Sequence, residues 1–281
     1  MISVFYDERM VADSGGYSPS ARKPEDVVRD WGRNSLPVSR EAFKPLSIGD
    51  MACAHSLSLV RDVLALRRDN GHGNSNADVA ATFPWTTGSH LAASLHALDA
   101  GVACSPTSGF HHAHYSFPQG FCTFNGLMIS AVKLLESGKA KRIGIVDYDE
   151  HYGNGTDDIV GKLGLESSIG HINANSYANG DEFIGAIHGD MDSMGDVDLV
   201  MYQAGADQHI DDPLGGLLTT EQMRERDRLV FQWCKERSVP VVFNLAGGYQ
   251  READGSIPVV LEIHRNTMLE CISAFRAPCI V

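Results

Sequence analysis

The sequence predicts an α/β fold: one mostly parallel β-sheet with helices on both faces, in a single domain over residues 1–281. Three observations carry this. Short apolar runs alternate with segments of helical period, the pattern of a parallel sheet wrapped by crossover helices. No repeat, charge block or low-complexity linker divides the chain, and 281 residues with 43% apolar content suffice for one core. Glycine is abundant, at 28 residues, and gathers where the apolar runs end.

The elements follow in chain order. "ISVFY", from Ile2, is a strand. Ser14 to Lys44 is polar and proline-bearing, and reads as loop with one helix. "AHSLSLVRDVLALRR" sets Leu57, Val60, Val63 or Leu64, and Arg67 at helical spacing. "GVACSP", "RIGIVDYD", "DVDLVMYQAG" and "VPVVFNLAGG" are apolar strand runs. Between the last two lies "TTEQMRERDRLVFQWCKER". It opens with Thr219 and Gln222 three apart, a capping-box spacing, and carries Leu229, Val230, Trp233 and Cys234 on one face. The final helix begins near Pro258, since proline is tolerated in a first helical turn.

Composition narrows the function. The net charge of −13 disfavours binding to nucleic-acid phosphates. It suits a cationic partner, and equally the ordinary solubility of an acidic protein. The six cysteines, Cys53, Cys104, Cys122, Cys234, Cys271 and Cys279, form no CxxC pair, which argues against a disulfide scaffold or thiolate zinc site and for a reducing compartment. "MISVFYDERM" lacks a basic region before a long apolar run, so no signal peptide is expected, and no stretch approaches the roughly 20 apolar residues of a membrane helix. A cytoplasmic protein with no nucleic-acid or membrane partner is the expectation.

Three strand runs end in chemistry: "VDYDEH", "QAGADQH" and "LAGGY". Parallel strands present their carboxyl ends on one side of the sheet, where ligands bind, so these three can meet in space. Asp149 and His151 stand two apart and in an extended segment share a side, with Asp147 in phase. Asp207 can add a third ligand from another strand end. Two carboxylates and one imidazole leave zinc a position open for water or substrate. The plain alternative is a set of strand-end acids capping helices. The adjacent His111 and His112, in a glycine-bordered loop, suit a pocket that handles protons; they can equally be surface histidines or contain a metal ligand. In "NLAGGY" the glycines Gly247 and Gly248 let backbone approach a ligand, and Tyr249 can donate to an oxyanion or simply pack.

"GFHHA", "GFCTFNG", "VDYDEHYGNGT", "AGADQHIDDPLGG" and "LAGGY" occur in the order found in the zinc-dependent histone deacetylase superfamily, which includes acetylpolyamine amidohydrolases. The resemblance spans roughly Phe5 to Leu261 and implies the arginase/deacetylase fold. It implies zinc ligands at Asp149, His151 and Asp207, a general base at His112, an assisting histidine at His111 and a carbonyl-polarising phenol at Tyr249. It implies supporting partners at Asp147, behind His111, and Asn154, behind His112; the asparagine resembles the class II branch. Gly120 and Phe121 match the wall of an acyl-lysine tunnel, and Gly248 joins them as a substrate-binding position. A potassium ion on Asp147, Asp149 and carbonyls such as that of His151 is also implied.

The chain departs from the family pattern at Tyr152, Ala206 and Gly126, and in "SARKPEDV", where relatives carry a histidine-proline-glutamate segment. The implied activity is hydrolysis of an acylated amine, the acyl group being first of all acetyl. Acetyl-lysine, an acetylpolyamine and a small acylated metabolite all present the same amide on an alkyl stem. A two-metal ureohydrolase and a binding module without turnover are the alternatives. The first would need more aspartates; the second would not need Tyr249.

Overall fold

A computed structural model describes residues 1–174 and 177–276; Cys279 lies outside them. The strands are β1 (Ile2–Val4), β2 (Val38–Arg40), β3 (Val102–Cys104), β4 (Ile143–Tyr148), β5 (Ile169–Asn173), β6 (Leu199–Gly205) and β7 (Val241–Ala246). They form one seven-stranded sheet, ordered β2-β1-β3-β7-β6-β4-β5, with every pair parallel. The helices are α1 (Lys23–Arg33), α2 (Ile48–Met51), α3 (Leu57–Leu64), α4 (Ala77–Ala100), α5 (Gly126–Glu136), α6 (Asn154–Leu163), α7 (Gly180–Ser193), α8 (Thr220–Glu236) and α9 (Pro258–Phe275).

The period-2 geometry of the strands splits their side chains between two cores. On β4 and β6, Ile143, Ile145, Leu199 and Met201 enter one core with α3 to α6. Val146, Tyr148, Val200 and Tyr202 enter the other with α1 and α7 to α9. Both faces are covered, so these strands read as continuous apolar runs rather than alternating ones. Among the described residues, no helix is long and apolar enough to cross a membrane.

The five expected strands are present, and Thr219 and Gln222 form the capping box of α8. Three expectations change. The helix predicted through Arg67 stops at Leu64; Leu66 is left-handed at φ 58°, and Arg67 pairs with Asp62 instead. The Ser14–Lys44 stretch holds β2 as well as a helix. β5 and the 24-residue α4, with Pro84 inside it, add to the expected elements.

Arg226 of α8 levels the strand ends that carry the acids. It is fully buried. Its Nη1 donates to Gly205 O at 2.7 Å, Tyr148 O at 3.2 Å and Gln208 Oε1 at 2.8 Å. Its Nε donates to Asp227 Oδ1 at 2.9 Å, and Asp227 also accepts from Tyr202 and Thr267. One guanidinium thus ties the end of β4 to the end of β6. Arg226→Met should destabilise the protein by about 3–5 kcal/mol, because it leaves Asp227 charged and without its cation in the interior. Urea unfolding of the variant checks this; a change under about 1 kcal/mol would mean that the network is dispensable.

Candidate active site

The site forms where four neighbouring strands, β3, β7, β6 and β4, end on the same side of the sheet. Asp147 is the inner element. It pairs in register with Gln203 across β4 and β6, and strand phase turns both toward the α3–α6 side. Gln203 Nε2 donates to Asp147 Oδ1 at 2.8 Å, while Gln203 Oε1 accepts from the Phe110 amide at 2.9 Å. That second bond anchors the loop after β3 beside the His pair. His111 Nδ1 then donates to Asp147 Oδ2 at 2.8 Å.

Two residues on, Asp149 and His151 lie at the rim of β4, and Asp207 follows β6. One ligand atom from each can be chosen so that all lie within 4.8 Å of one another. His151 Nδ1 is 3.2 Å from Asp149 Oδ1 and 3.1 Å from Asp207 Oδ2. Donor atoms about 2.0–2.1 Å from a tetrahedral zinc ion are about 3.3 Å apart, so this spacing fits one zinc ion. The charges fit it too. Burial, with the Asp149 carboxylate beside it, raises the Asp207 pKa to about 7. The two carboxylates hold a proton on His151 well above the usual imidazole range. A divalent ion would take the place of that proton.

The adjacent histidines have rings 4.0 Å apart, centroid to centroid. Burial alone would lower the His111 pKa, but Asp147 and Asp149 outweigh it and raise it to about 9. His112 faces a neutral partner: its Nδ1 donates to Asn154 Oδ1 at 2.7 Å. Burial and the neighbouring His111 lower its pKa to about 4, which leaves Nε2 free as an acceptor at neutral pH. His112 and His151 have ring centroids 5.9 Å apart, and His111 Nε2 is 3.5 Å from Asp149 Oδ1.

Tyr249 is 9% exposed, and burial with the nearby Asp207 and Asp149 keeps its phenol protonated. Its ring lies 5.7 Å from that of Phe121 and 6.5 Å from that of Tyr17. A side chain at Gly120 would collide with the His112 ring, so glycine there lets the Phe121 loop close on the pocket. Gly248 packs on Val260 and Ala206. The structure therefore gathers all the positions singled out from the sequence. Of the departures, Tyr152 is exposed and bonds to Asp157, Ala206 is buried, and Gly126 packs on Phe110.

Residues that no sequence motif singles out complete the surroundings. Gln203 is one; a lone amide inside an apolar strand run was its signal. His171 lies 3.5 Å from Asp147 Oδ2 and bonds Asp157 Oδ1 at 2.7 Å. Asp212 accepts from the Tyr249 amide at 2.7 Å. Lys23, in the atypical "SARKPEDV" stretch, reaches the Gly247 carbonyl.

A parallel sheet carries acids, paired histidines and a phenol at its carboxyl edge, and three of these side chains could hold a metal ion. Residues 33–173 and 171–258 match the family model for the histone deacetylase domain, and the chain belongs to that family. The HDA15 HD domain shares the fold, with a TM-score of 0.80 at 16% identity over 99% of this chain and 91% of that one. An uncharacterised protein of Picosynechococcus is 32% identical over 195 residues, 62% of this chain and 64% of that protein. The acetylpolyamine amidohydrolase of Mycoplana ramosa is 32% identical over 124 residues, 41% of this chain and 31% of that protein. The matches thus span less than two thirds of these two curated relatives.

The cluster predicts uptake of one zinc ion per chain and its loss in Asp207→Ala. Metal content after loading and dialysis checks this; full retention in the variant would remove Asp207 from the ligand set.

Proposed function

We propose that the protein is a zinc-dependent amidohydrolase that removes an acyl group, first of all acetyl, from an acylated amine such as acetyl-lysine. The observation that carries the reading is the His pair, with opposite proton affinities, set against the Asp149–His151–Asp207 cluster in one pocket. Bound there, zinc would act as a Lewis acid, polarising the amide carbonyl and lowering the pKa of a water toward about 7.

The chain's own residues do the rest. His112, neutral and aligned by Asn154, takes a proton on Nε2 from the attacking water. Tyr249 donates its O–H to the oxyanion that forms at the former carbonyl. His111, protonated and held by Asp147, supplies positive charge beside the reaction and a proton for the departing amine. The C–N bond breaks, and a carboxylate and a free amine leave. Gly120, Phe121 and Gly248 flank the alkyl stem of the substrate.

Acetyl-lysine, an acetylpolyamine and a small acylated metabolite remain within this reading. The net charge of −13 favours a product amine that is cationic, and the likeness to an acetylpolyamine amidohydrolase supports including polyamines. A structural potassium ion belongs to the same proposal. Asp147 already accepts from His111 and Gln203, so Asp149 and carbonyls such as that of His151 would supply most of its contacts. The free thiols of Cys53, Cys104, Cys122, Cys234 and Cys271 support placing the protein in the cytoplasm.

Zinc-loaded protein should release acetate from a fluorogenic acetyl-lysine peptide, an acetylpolyamine or a panel of small acetylated amines; absence of turnover on all three would overturn the proposal. A hydroxamate should inhibit competitively. His112→Ala should lower kcat by about 10²–10⁴ with a smaller effect on KM. Tyr249→Phe should keep its zinc and lose about 10²–10³ in kcat. A packed tyrosine without a catalytic part would lose about 1 kcal/mol of stability and little activity. Turnover, zinc content and melting temperature on one preparation separate the two.

A further inference from the structure

Lys23 is a fully buried lysine at the start of α1, and the proposed chemistry leaves it without a part. Its Nζ donates to the main-chain carbonyl of Gly247. Burial lowers its pKa to about 8, with the charges of Asp207, Asp149 and Asp212 acting the other way. Burying an ammonium is costly, so this contact needs a physical reason.

Gly247 supplies one. It is left-handed at φ 51°, and Gly248 follows at φ 89°. A side chain on Gly247 would collide with the Asp207 carboxylate, so the bare backbone lies directly against that group. Tyr249 comes next, its amide donating to Asp212 Oδ2 at 2.7 Å. The segment that presents the phenol is therefore gripped at two points, the Gly247 carbonyl and the Tyr249 amide. Two successive glycines between β7 and Tyr249 would otherwise have wide conformational freedom.

We propose that Lys23 is a positioning residue for Tyr249: by holding the Gly247 carbonyl it fixes the double-glycine turn, and so the phenol, relative to the Asp149–His151–Asp207 cluster. The inference rests on the deacetylase reading, in which Tyr249 donates to the oxyanion. It also gives a purpose to the "SARKPEDV" departure: α1 begins inside the molecule, and its first side chain supports the site from beneath.

The test is a double-mutant cycle on the zinc-loaded full chain. Lys23→Met keeps the length of the side chain and removes the donor. It should lower kcat about 10–100-fold, the scale of a small misplacement of a reacting group, with KM within about twofold and zinc content unchanged. In a Tyr249→Phe background the same change should cost less than about twofold, because the group it positions is gone. Hydrogen exchange of the metal-free protein should quicken at residues 247–249 while β7 stays protected. If Lys23→Met does not fold, Lys23→Gln goes through the same cycle. An equal proportional loss in both backgrounds, loss of zinc, or wild-type turnover in the single variant overturns the inference and leaves the deacetylase reading standing. Zinc-loaded wild-type protein with no turnover removes both.

Discussion

Three carboxylates crowded at the ends of two neighbouring strands, and almost out of water, are the constraint around which this site is arranged. Asp147 and Asp207 are 0% exposed and Asp149 is 3% exposed. Ionised carboxylates in such a place are unstable unless each is paired or hydrogen-bonded. Asp147 is satisfied within the protein by His111 and Gln203. Asp149 lies between His151 and His111, whereas Asp207 shares with it only His151. Burial and Asp149 raise the pKa of Asp207, which marks the charge that His151 leaves uncompensated there. That shortfall is the physical argument for a cation in the cluster, and it is independent of resemblance. The rest of the local structure follows from keeping the acids there. Arg226 binds the carbonyls just before them, at Tyr148 and Gly205. Lys23 and Asp212 hold the glycine turn that lies over Asp207.

How far the fold was legible depends on burial. β4, β6 and β7 are covered on both faces, and such strands show in the sequence as unbroken apolar runs. β2 and β5 escaped because they are the two edge strands of the sheet. They are only partly buried, and their residues include Ser39, Arg40, Gly170, His171 and Asn173. The overlong helix after Ser56 has a different cause. Helical spacing continues to Arg67, but the chain turns left-handed at Leu66, a backbone choice that periodicity does not reveal.

The candidate site was legible to a different extent. Asp147, Asp149 and His151 declare themselves by strand phase, and the His pair by adjacency. Gln203, Asp212 and Lys23 do not, because their meaning lies in contacts across long stretches of chain: Gln203 to Phe110, Lys23 to Gly247. Lys23 is the sharpest case. In sequence it is an ordinary charged residue before a proline, the usual mark of a solvated helix start. Only the packing of α1 against α9 and the sheet turns that helix start inward.

His111 and His112 show how much one partner atom can change a side chain's chemistry. They are the same residue type, adjacent in the chain, with rings 4.0 Å apart, and burial presses both toward the neutral form. What separates them is one atom in each partner's side chain. Asp147 offers His111 a charged carboxylate, and Asn154 offers His112 a carboxamide oxygen of nearly the same shape. The carboxylate holds a proton on His111; that positive charge then helps to keep His112 neutral. The asymmetry therefore reinforces itself, and a base and an acid arise side by side from one residue type. A carboxylate in place of Asn154 would draw a proton onto His112 and blunt this difference. The asparagine in "GNGT" thus has a physical consequence of its own, apart from any family pattern.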